Sequence, residues 1–204
     1  MNNLSGRLFA LCGVDGSGKS TLVTGVKDAL QAQGLPAVTL KKSMKNNVDS
    51  VEQLWCEKRD WSEGPFARAV SVASTYDFLH HYIHCILPQL QQEHIVLCDR
   101  YAYCYAAYMA CVDADSDFMS MLRNVIQPLK TFYIKVPADV AVARHHERGG
   151  PSDDETPEVI RKFLMGYEQV FAWQDKIVTV DNTRPFATSV DTIVSEIIKC
   201  HEQQ

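Results

Sequence analysis

The clearest chemistry lies in Gly13-Val14-Asp15-Gly16-Ser17-Gly18-Lys19-Ser20-Thr21. This run fits the spacing G-x-x-x-x-G-K-[ST], in which glycines let backbone N–H groups turn inward around phosphate oxygens. Arg7–Cys12 before it is apolar and reads as a buried strand. Ser20–Gln33 after it reads as a helix, with Leu22, Val26, Ala29 and Leu30 on one face. That strand–loop–helix setting is the one the motif requires, and it disfavours an accidental glycine turn. The new helix adds the positive end of its dipole. Lys19 is expected to reach the β- and γ-phosphates of a nucleoside triphosphate and Ser20 to ligate Mg²⁺. Gly13, Asp15, Gly16, Ser17, Gly18 and Thr21 are expected to complete the cradle.

Two further groups of residues suit phosphate chemistry. His94-Ile95-Val96-Leu97-Cys98-Asp99-Arg100-Tyr101 is an apolar strand ending in a carboxylate. Asp99 can face the same magnesium as Ser20, and Arg100 can grip a phosphate through two parallel hydrogen bonds. The bland alternative is a structural Asp–Arg pair at a strand end. Downstream stands Arg144-His145-His146-Glu147-Arg148-Gly149-Gly150. Arg144 and Arg148, four apart, share a helix face, and the glycine-, proline- and acid-rich stretch Gly149–Thr156 reads as a mobile loop. Together, residues 144–156 suit a short arginine-bearing lid that closes over a transferring phosphoryl group. The alternative is a solvated helix end, where arginine is favourable beside the dipole. The adjacent histidines do not share a helix face, which argues against a metal pair.

The elements that must position these residues alternate along the chain. Strands are expected at Arg7–Cys12, Ala37–Leu40, His94–Cys98, Thr131–Val136 and Lys176–Val180. Helices are expected at Ser20–Gln33, Gly64–Gln92 with a kink or early end at Pro88, Tyr101–Cys111, Asp117–Ile126, Pro137–Arg148, Pro157–Trp173 and Val190–Ile198, and a short one at Val51–Arg59. This order predicts an α/β fold: a five-stranded parallel sheet with helices on both faces. No linker or internal repeat divides residues 1–204, so one domain is expected.

Composition narrows the class. The 204 residues are 46% hydrophobic and 22% charged, the ordinary globular mix, which excludes a disordered chain or a coiled-coil rod. A net charge of −5 with no basic stripe argues against binding polymeric nucleic acid. No apolar run is long enough to span a membrane, and no signal peptide is apparent. The seven scattered cysteines form no C-x-x-C pair and read as reduced, buried thiols. A cytoplasmic protein is expected.

The succession of phosphate loop, Asp99-Arg100-Tyr101 and arginine-rich lid resembles the thymidylate kinase family. The likeness extends through Phe132-Tyr133-Ile134-Lys135-Val136-Pro137 and Gly166-Tyr167. The resemblance implies a P-loop kinase fold, ATP as donor, Mg²⁺, a nucleoside monophosphate acceptor such as dTMP, and a homodimer. It also implies Asp15 near the acceptor sugar, Arg100 on the acceptor phosphate and Tyr101 against the deoxyribose. No basic residue precedes Lys19 in the loop, so the lid would supply the transition-state charge, with Arg148 as the contributor.

The chain also departs from that family. The family's thymine-stacking Phe falls on Ser74 and its base-reading Arg on Phe78; Leu40-Lys41-Lys42-Ser43 stands where Arg-Glu-Pro is expected, and Met109 stands in place of a Gln. The phosphate-transfer half is kept and the thymine-reading half is rebuilt. Tyr76, Tyr82, Tyr103, Tyr105 and Tyr108 are candidates for a different aromatic pocket, or equally for core. The acceptor positions are therefore Asp15, Ser74, Phe78, Arg100, Tyr101 and Tyr105; the catalytic positions are Asp15, Lys19, Arg100, Arg144 and Arg148. The expected activity is ATP-dependent phosphotransfer to a nucleoside monophosphate. The alternatives are a kinase of a non-thymine nucleotide or small metabolite, and a degenerate nucleotide-binding module. A GTPase-like switch is disfavoured, because no N-K-x-D for guanine is present.

Overall fold

The structure is a computed structural model that describes residues 7–41, 47, 50–51, 64–111, 124–147, 156–172 and 174–203. Strand β1 (Leu8–Cys12) leads through the glycine loop into α1 (Lys19–Ala32), followed by β2 (Ala37–Lys41). Helix α2 (Gly64–His81) continues through a wide π-helical turn (Tyr82–Ile86) into α3 (Leu87–Gln91). Then come β3 (Ile95–Asp99), α4 (Ala102–Cys111), β4 (Lys130–Lys135), α5 (Ala138–Glu147), α6 (Pro157–Phe171), β5 (Ile177–Asp181) and α7 (Phe186–Glu202).

Among the described residues the five strands form one parallel sheet in the order β2-β3-β1-β4-β5. The period-two alternation of strand side chains divides the core between its faces. Leu8, Ala10 and Cys12 of β1 and Val96 and Cys98 of β3 join one cluster with residues of α2, α4 and α6. Phe9, Leu11, Ile95 and Leu97 join the other, with Leu22, Val26 and Leu30 of α1 and Ile193 and Ile197 of α7. Burial on both faces is why β1 and β3 read as continuous apolar runs. The α/β class, the parallel sheet and its covering on both sides are as the sequence predicts.

Two expected elements change form. The long helix before β3 does not stop at Pro88. Pro88 sits in the first turn of α3, and the irregularity lies one turn earlier, at Tyr82–Ile86. A proline removes one helical N–H and crowds the preceding turn, and widening that turn accommodates it. The helix expected at Asp117–Ile126 falls mostly outside the described residues, and its described end, Asn124–Ile126, is not helical. The helix expected at Val51–Arg59 lies outside them beyond Val51. No helix among the described residues is long and apolar enough to cross a membrane.

The topology decides where a ligand can sit. The neighbours β1 and β3 send α1 and α4 to opposite faces of the sheet. The segments that leave their C-terminal ends therefore part and open a crevice beyond the carboxyl ends of the strands, the usual ligand position in such folds. The loop Gly13–Gly18 and the pair Asp99–Arg100 both end there.

Candidate active site

The loop is tightly built. Gly16 has φ 78° and Gly18 has φ 89°, backbone that L side chains rarely adopt. A Cβ on Gly16 would also run into the Ala141 backbone of α5. The loop's own carbonyls are tied down from several elements. Asn182, after β5, donates from Nδ2 to Ser17 O at 2.7 Å, and Tyr167 of α6 donates from its hydroxyl to Gly13 O at 3.1 Å.

Lys19 opens α1 and is only 5% exposed. Its Nζ donates to Val14 O at 2.6 Å and to Ser17 Oγ at 3.3 Å, and lies 3.9 Å from Asp15 Oδ1. Burial, reinforced by the nearby Arg100 charge, lowers its pKa to about 8. Its ammonium thus folds back over the loop that it is expected to share with phosphate.

Next in the helix, Ser20 donates from Oγ to Asp99 Oδ2 at 2.6 Å. Asp99 is buried at the end of β3, while Ser20 is exposed. A hydroxyl and a carboxylate this close, beside a phosphate loop, fit Mg²⁺, which is usually held by one or two carboxylates together with phosphate oxygens and water. Ser20 and Asp99 are therefore the residues that could hold it. Lys41, the last residue of β2, donates from Nζ to the same Ser20 Oγ at 3.2 Å.

Arg100 follows Asp99 with φ 78°. A non-glycine residue with this φ is uncommon and marks a functional constraint more often than chance. Its Nη2 forms an ion pair with Asp15 Oδ1. Burial opposes its charge, but the carboxylates of Asp15 and Asp99 more than offset that and hold it protonated. The two strand ends thus bring Asp15, Lys19, Ser20, Asp99 and Arg100 together.

Arg144 of α5 reaches the loop from behind. Its Nη2 donates to Asn182 O at 2.9 Å, and its Nη1 lies 3.4 and 3.5 Å from Gly16 O and Ser17 O. It lines a cavity of about 320 Å³ with Gly18, Thr21, Glu147, Asn182, Arg184 and Phe186. Arg148 and residues 149–155 of the expected lid lie outside the described residues, as does the side chain of Met109.

The expected acceptor residues Ser74, Phe78, Tyr101 and Tyr105 are brought together, but as core. Phe78 is 2% exposed, with its ring centroid 5.3 Å from that of Tyr101 and 5.2 Å from that of Tyr105. Tyr101 is fully buried and donates its hydroxyl to Ile126 O. It presents no open face for a sugar. Ser74 is 2% exposed, and Tyr105 is 1% exposed with no partner for its hydroxyl among the described residues. Of the other tyrosines considered, Tyr76 is exposed, Tyr103 is half-buried, and Tyr82 and Tyr108 are buried.

Sequence reading missed Asn182 as a member of the site, and met Lys41 only as a departure from the family's Arg-Glu-Pro. Asn182 follows an apolar strand within Asp181-Asn182-Thr183, where only its place at a strand end could have drawn notice. Lys41 is aligned by the β2–β3 register, in which it pairs with Asp99, and nothing in a single strand shows its neighbour.

Comparison with known proteins agrees with this geometry. Residues 11–193 match the family described as thymidylate kinase. The chain is 30% identical over 202 residues to a "Probable thymidylate kinase" of Methanocorpusculum labreanum, with 93% of this chain and 96% of that protein covered. It is 28% identical over 192 residues to a "Probable thymidylate kinase" of Pyrobaculum aerophilum, covering 93% and 95%. It is 26% identical over 198 residues to the "Probable thymidylate kinase 2" of Saccharolobus solfataricus, covering 89% and 91%. A match across nearly the whole chain and a phosphate loop facing an Asp-Arg strand end agree: the chain belongs to the thymidylate kinase family of phosphotransferases.

Proposed function

We propose that this protein transfers the γ-phosphoryl group of ATP to the phosphate of a nucleoside monophosphate, dTMP or a related acceptor, with Mg²⁺ held at Ser20 and Asp99. One observation carries the reading: Lys19, the Ser20–Asp99 pair and the Asp15–Arg100 pair converge at the carboxyl ends of β1 and β3. The names of its relatives make dTMP the first acceptor to try.

In this reading an oxygen of the acceptor phosphate attacks the γ-phosphorus, and the bond to the β–γ bridging oxygen breaks to release ADP. Such transfer needs positioning and charge neutralisation more than a protein nucleophile. Gly13–Thr21 cradles the donor phosphates, and Lys19 exchanges Val14 O for phosphate oxygens. Ser20 and Asp99 would hold Mg²⁺, which when bound would supply charge neutralisation on the donor phosphates. Arg100 exchanges Asp15 for the acceptor phosphate, which frees Asp15 to accept a hydrogen bond from the acceptor sugar. The cavity beside Gly18 and Thr21 takes the rest of the donor. Arg148 adds positive charge when the lid at residues 144–156 closes, while Arg144 supports the loop beneath.

A second reading is favoured by the closed cluster of Phe78, Tyr101 and Tyr105: the acceptor is a non-thymine nucleotide or a small metabolite. A phosphotransfer screen with ATP across nucleoside monophosphates and small phosphate- or hydroxyl-bearing metabolites separates these cases. ADP release that depends on one acceptor identifies the substrate. No acceptor-dependent ADP release with any compound would leave a nucleotide-binding module.

We also propose a single-domain homodimer in the cytoplasm, without nucleic-acid or membrane partners. Val72, Tyr76 and Ile83 are large apolar side chains exposed along α2 and the π-helical turn, a surface suited to self-association. Cys12, Cys85, Cys98, Cys104 and Cys200 are free thiols, as a reducing compartment favours. Sedimentation equilibrium of the wild type and of Tyr76→Glu tests the dimer.

A further inference from the structure

Asp77 and Asp99 are the buried carboxylates among the described residues. Asp99 accepts from Ser20 beside the phosphate loop, whereas no step of phosphotransfer uses Asp77. A carboxylate taken out of water needs N–H donors in its place, and Asn47 supplies two. Its backbone N–H donates to Asp77 Oδ2 at 2.9 Å, and its side-chain Nδ2 donates to Oδ1. Asn47 is exposed, in the segment that leaves β2 at the same end of the sheet as Asp99 and Arg100. Beside Asp77 stands a second polar group that the transfer step leaves unused. The Tyr105 ring lies 5.2 Å from that of Phe78, the neighbour of Asp77 in α2, and its buried hydroxyl has no partner among the described residues. That hydroxyl is within range of the charges of both Arg100 and Asp77.

We propose that Asp77 and Tyr105 read the base of the acceptor, and that Asn47 holds the place of the base on Asp77 until it arrives. The proposal rests on the reading of a nucleoside monophosphate whose phosphate meets Arg100, and it names the base. The two oxygens of Asp77 accept two N–H groups side by side, and the Tyr105 hydroxyl donates one bond. Guanine offers the matching edge: the acceptor O6, then the donors N1–H and N2–H. Thymine offers a carbonyl, one N–H and a second carbonyl, and that second carbonyl would face the carboxylate. The group that holds guanine thus rejects thymine, because it opposes two acceptors with no proton between them. A guanine nucleotide enters as Asn47 withdraws, exchanging one pair of N–H donors for another.

Calorimetry on the intact protein, with a non-hydrolysable ATP analogue and Mg²⁺ present, compares dGMP with dTMP. The wild type should bind dGMP tighter by about tenfold or more, the size of one charged hydrogen bond. Asp77→Asn keeps the shape but turns one acceptor into a donor. It should lose the preference while binding the ATP analogue as the wild type does. Asn47→Ala removes a competing donor at an exposed position and should tighten dGMP about threefold, leaving dTMP unchanged. A carboxylate that only anchors the chain would leave the ratio of the two affinities unmoved in both variants. That result overturns the proposal, as does a wild type that binds both nucleotides alike. If Asp77→Asn does not fold, Asn47→Ala decides: dGMP no tighter, or both nucleotides tightened equally, overturns it. A wild type that binds neither nucleotide also overturns it, and acceptor-dependent ADP release with another compound then shows whether the phosphotransfer reading survives.

Discussion

Tyr167 donates its hydroxyl to the carbonyl of Gly13 at 3.1 Å, joining residues 154 positions apart. Gly13 is the first residue of the phosphate loop, and Tyr167 lies in the middle of α6. The ring is buried and stacked on Tyr133, with centroids 5.4 Å apart. Burial raises the phenol pKa well above its usual value, so it remains a donor at working pH. Tyr167→Phe would leave a buried carbonyl unpaired, at a cost of about 1–3 kcal/mol. The expected outcome is a Tm lower by ~2–4 °C per kcal/mol lost and a raised KM for ATP. Thermal unfolding and initial rates check it; an unchanged Tm and KM would show that this bond contributes nothing.

Lys19→Ala should lower kcat by about two orders of magnitude or more, the usual cost of removing one preorganised charge from a transition state. The fold should tolerate the change, because the lysine returns to Val14 O within its own loop. A variant with near-normal turnover on any acceptor would exclude the loop as the donor site.

The lowered Lys19 pKa gives a pH signature. The ammonium is the phosphate-binding form, and in the free enzyme it is lost near pH 8. Wild-type kcat/KM for ATP should therefore fall about tenfold per pH unit above 8. Stability moves in the opposite direction. A folded pKa of about 8 against 10.5 means that the unfolded chain binds more protons between those values. This lysine's penalty is thus full below pH 8 and is relieved as pH rises toward 10.5. Denaturant unfolding of the wild type and Lys19→Met from pH 7 to 10 should show the difference shifting in favour of the wild type. A constant difference would contradict the lowered pKa.

The phosphate half of the site was legible in the chain because its residues are neighbours in sequence. Gly13–Thr21 and Asp99–Arg100 each sit at the end of an apolar run, and one loop or strand end suffices to place them. The strand order was not legible: parallel strands need long crossovers, and nothing in β2 alone shows that it pairs with β3. For the same reason Asn182 passed unnoticed and Lys41 stood only as a departure from the family's pattern, since each enters the site through pairing or packing between distant segments. Phe78 and Tyr105 illustrate a different limit. Aromatic residues at helical spacing suit a pocket or a core equally well, and only their burial separates the two.

Arg144 and Arg148 should behave differently despite their spacing. Arg144 binds Asn182 O and approaches the carbonyls of Gly16 and Ser17 before any substrate arrives. Arg144→Ala should therefore raise the KM for ATP. Asn182→Ala should act in the same direction, and the double variant should fall short of the sum because the two share partners. Arg148→Ala should lower kcat more than it raises the KM for ATP, as expected of a contact made mainly in the transition state. Steady-state kinetics of the four variants decide this; additive effects, or equal losses for both arginines, would contradict it.

The last prediction concerns dTMP. A base stacked on an aromatic side chain gains ~1–3 kcal/mol, and a charged hydrogen bond to its edge contributes about 1.5–3 kcal/mol. Ser74 can provide no such stacking, and Phe78 has no donor. Phe78 is instead committed to Tyr101 and Tyr105, with ring centroids 5.3 and 5.2 Å away. A pyrimidine would have to displace this packing or leave its polar edge unpaired against an apolar ring, at a further cost. Losses of several kcal/mol correspond to a few orders of magnitude in kcat/KM. The wild type should therefore use dTMP with a kcat/KM below ~10⁴ M⁻¹s⁻¹, the lower end of the ordinary enzymatic range. Phe78→Ala should raise dTMP turnover by opening the cluster, while costing about 3–5 kcal/mol of stability. A wild-type value at or above that range would mean that the cluster opens on binding or that thymine is read elsewhere. A Phe78→Ala variant that stays folded yet gains nothing would show that this ring is not the obstacle.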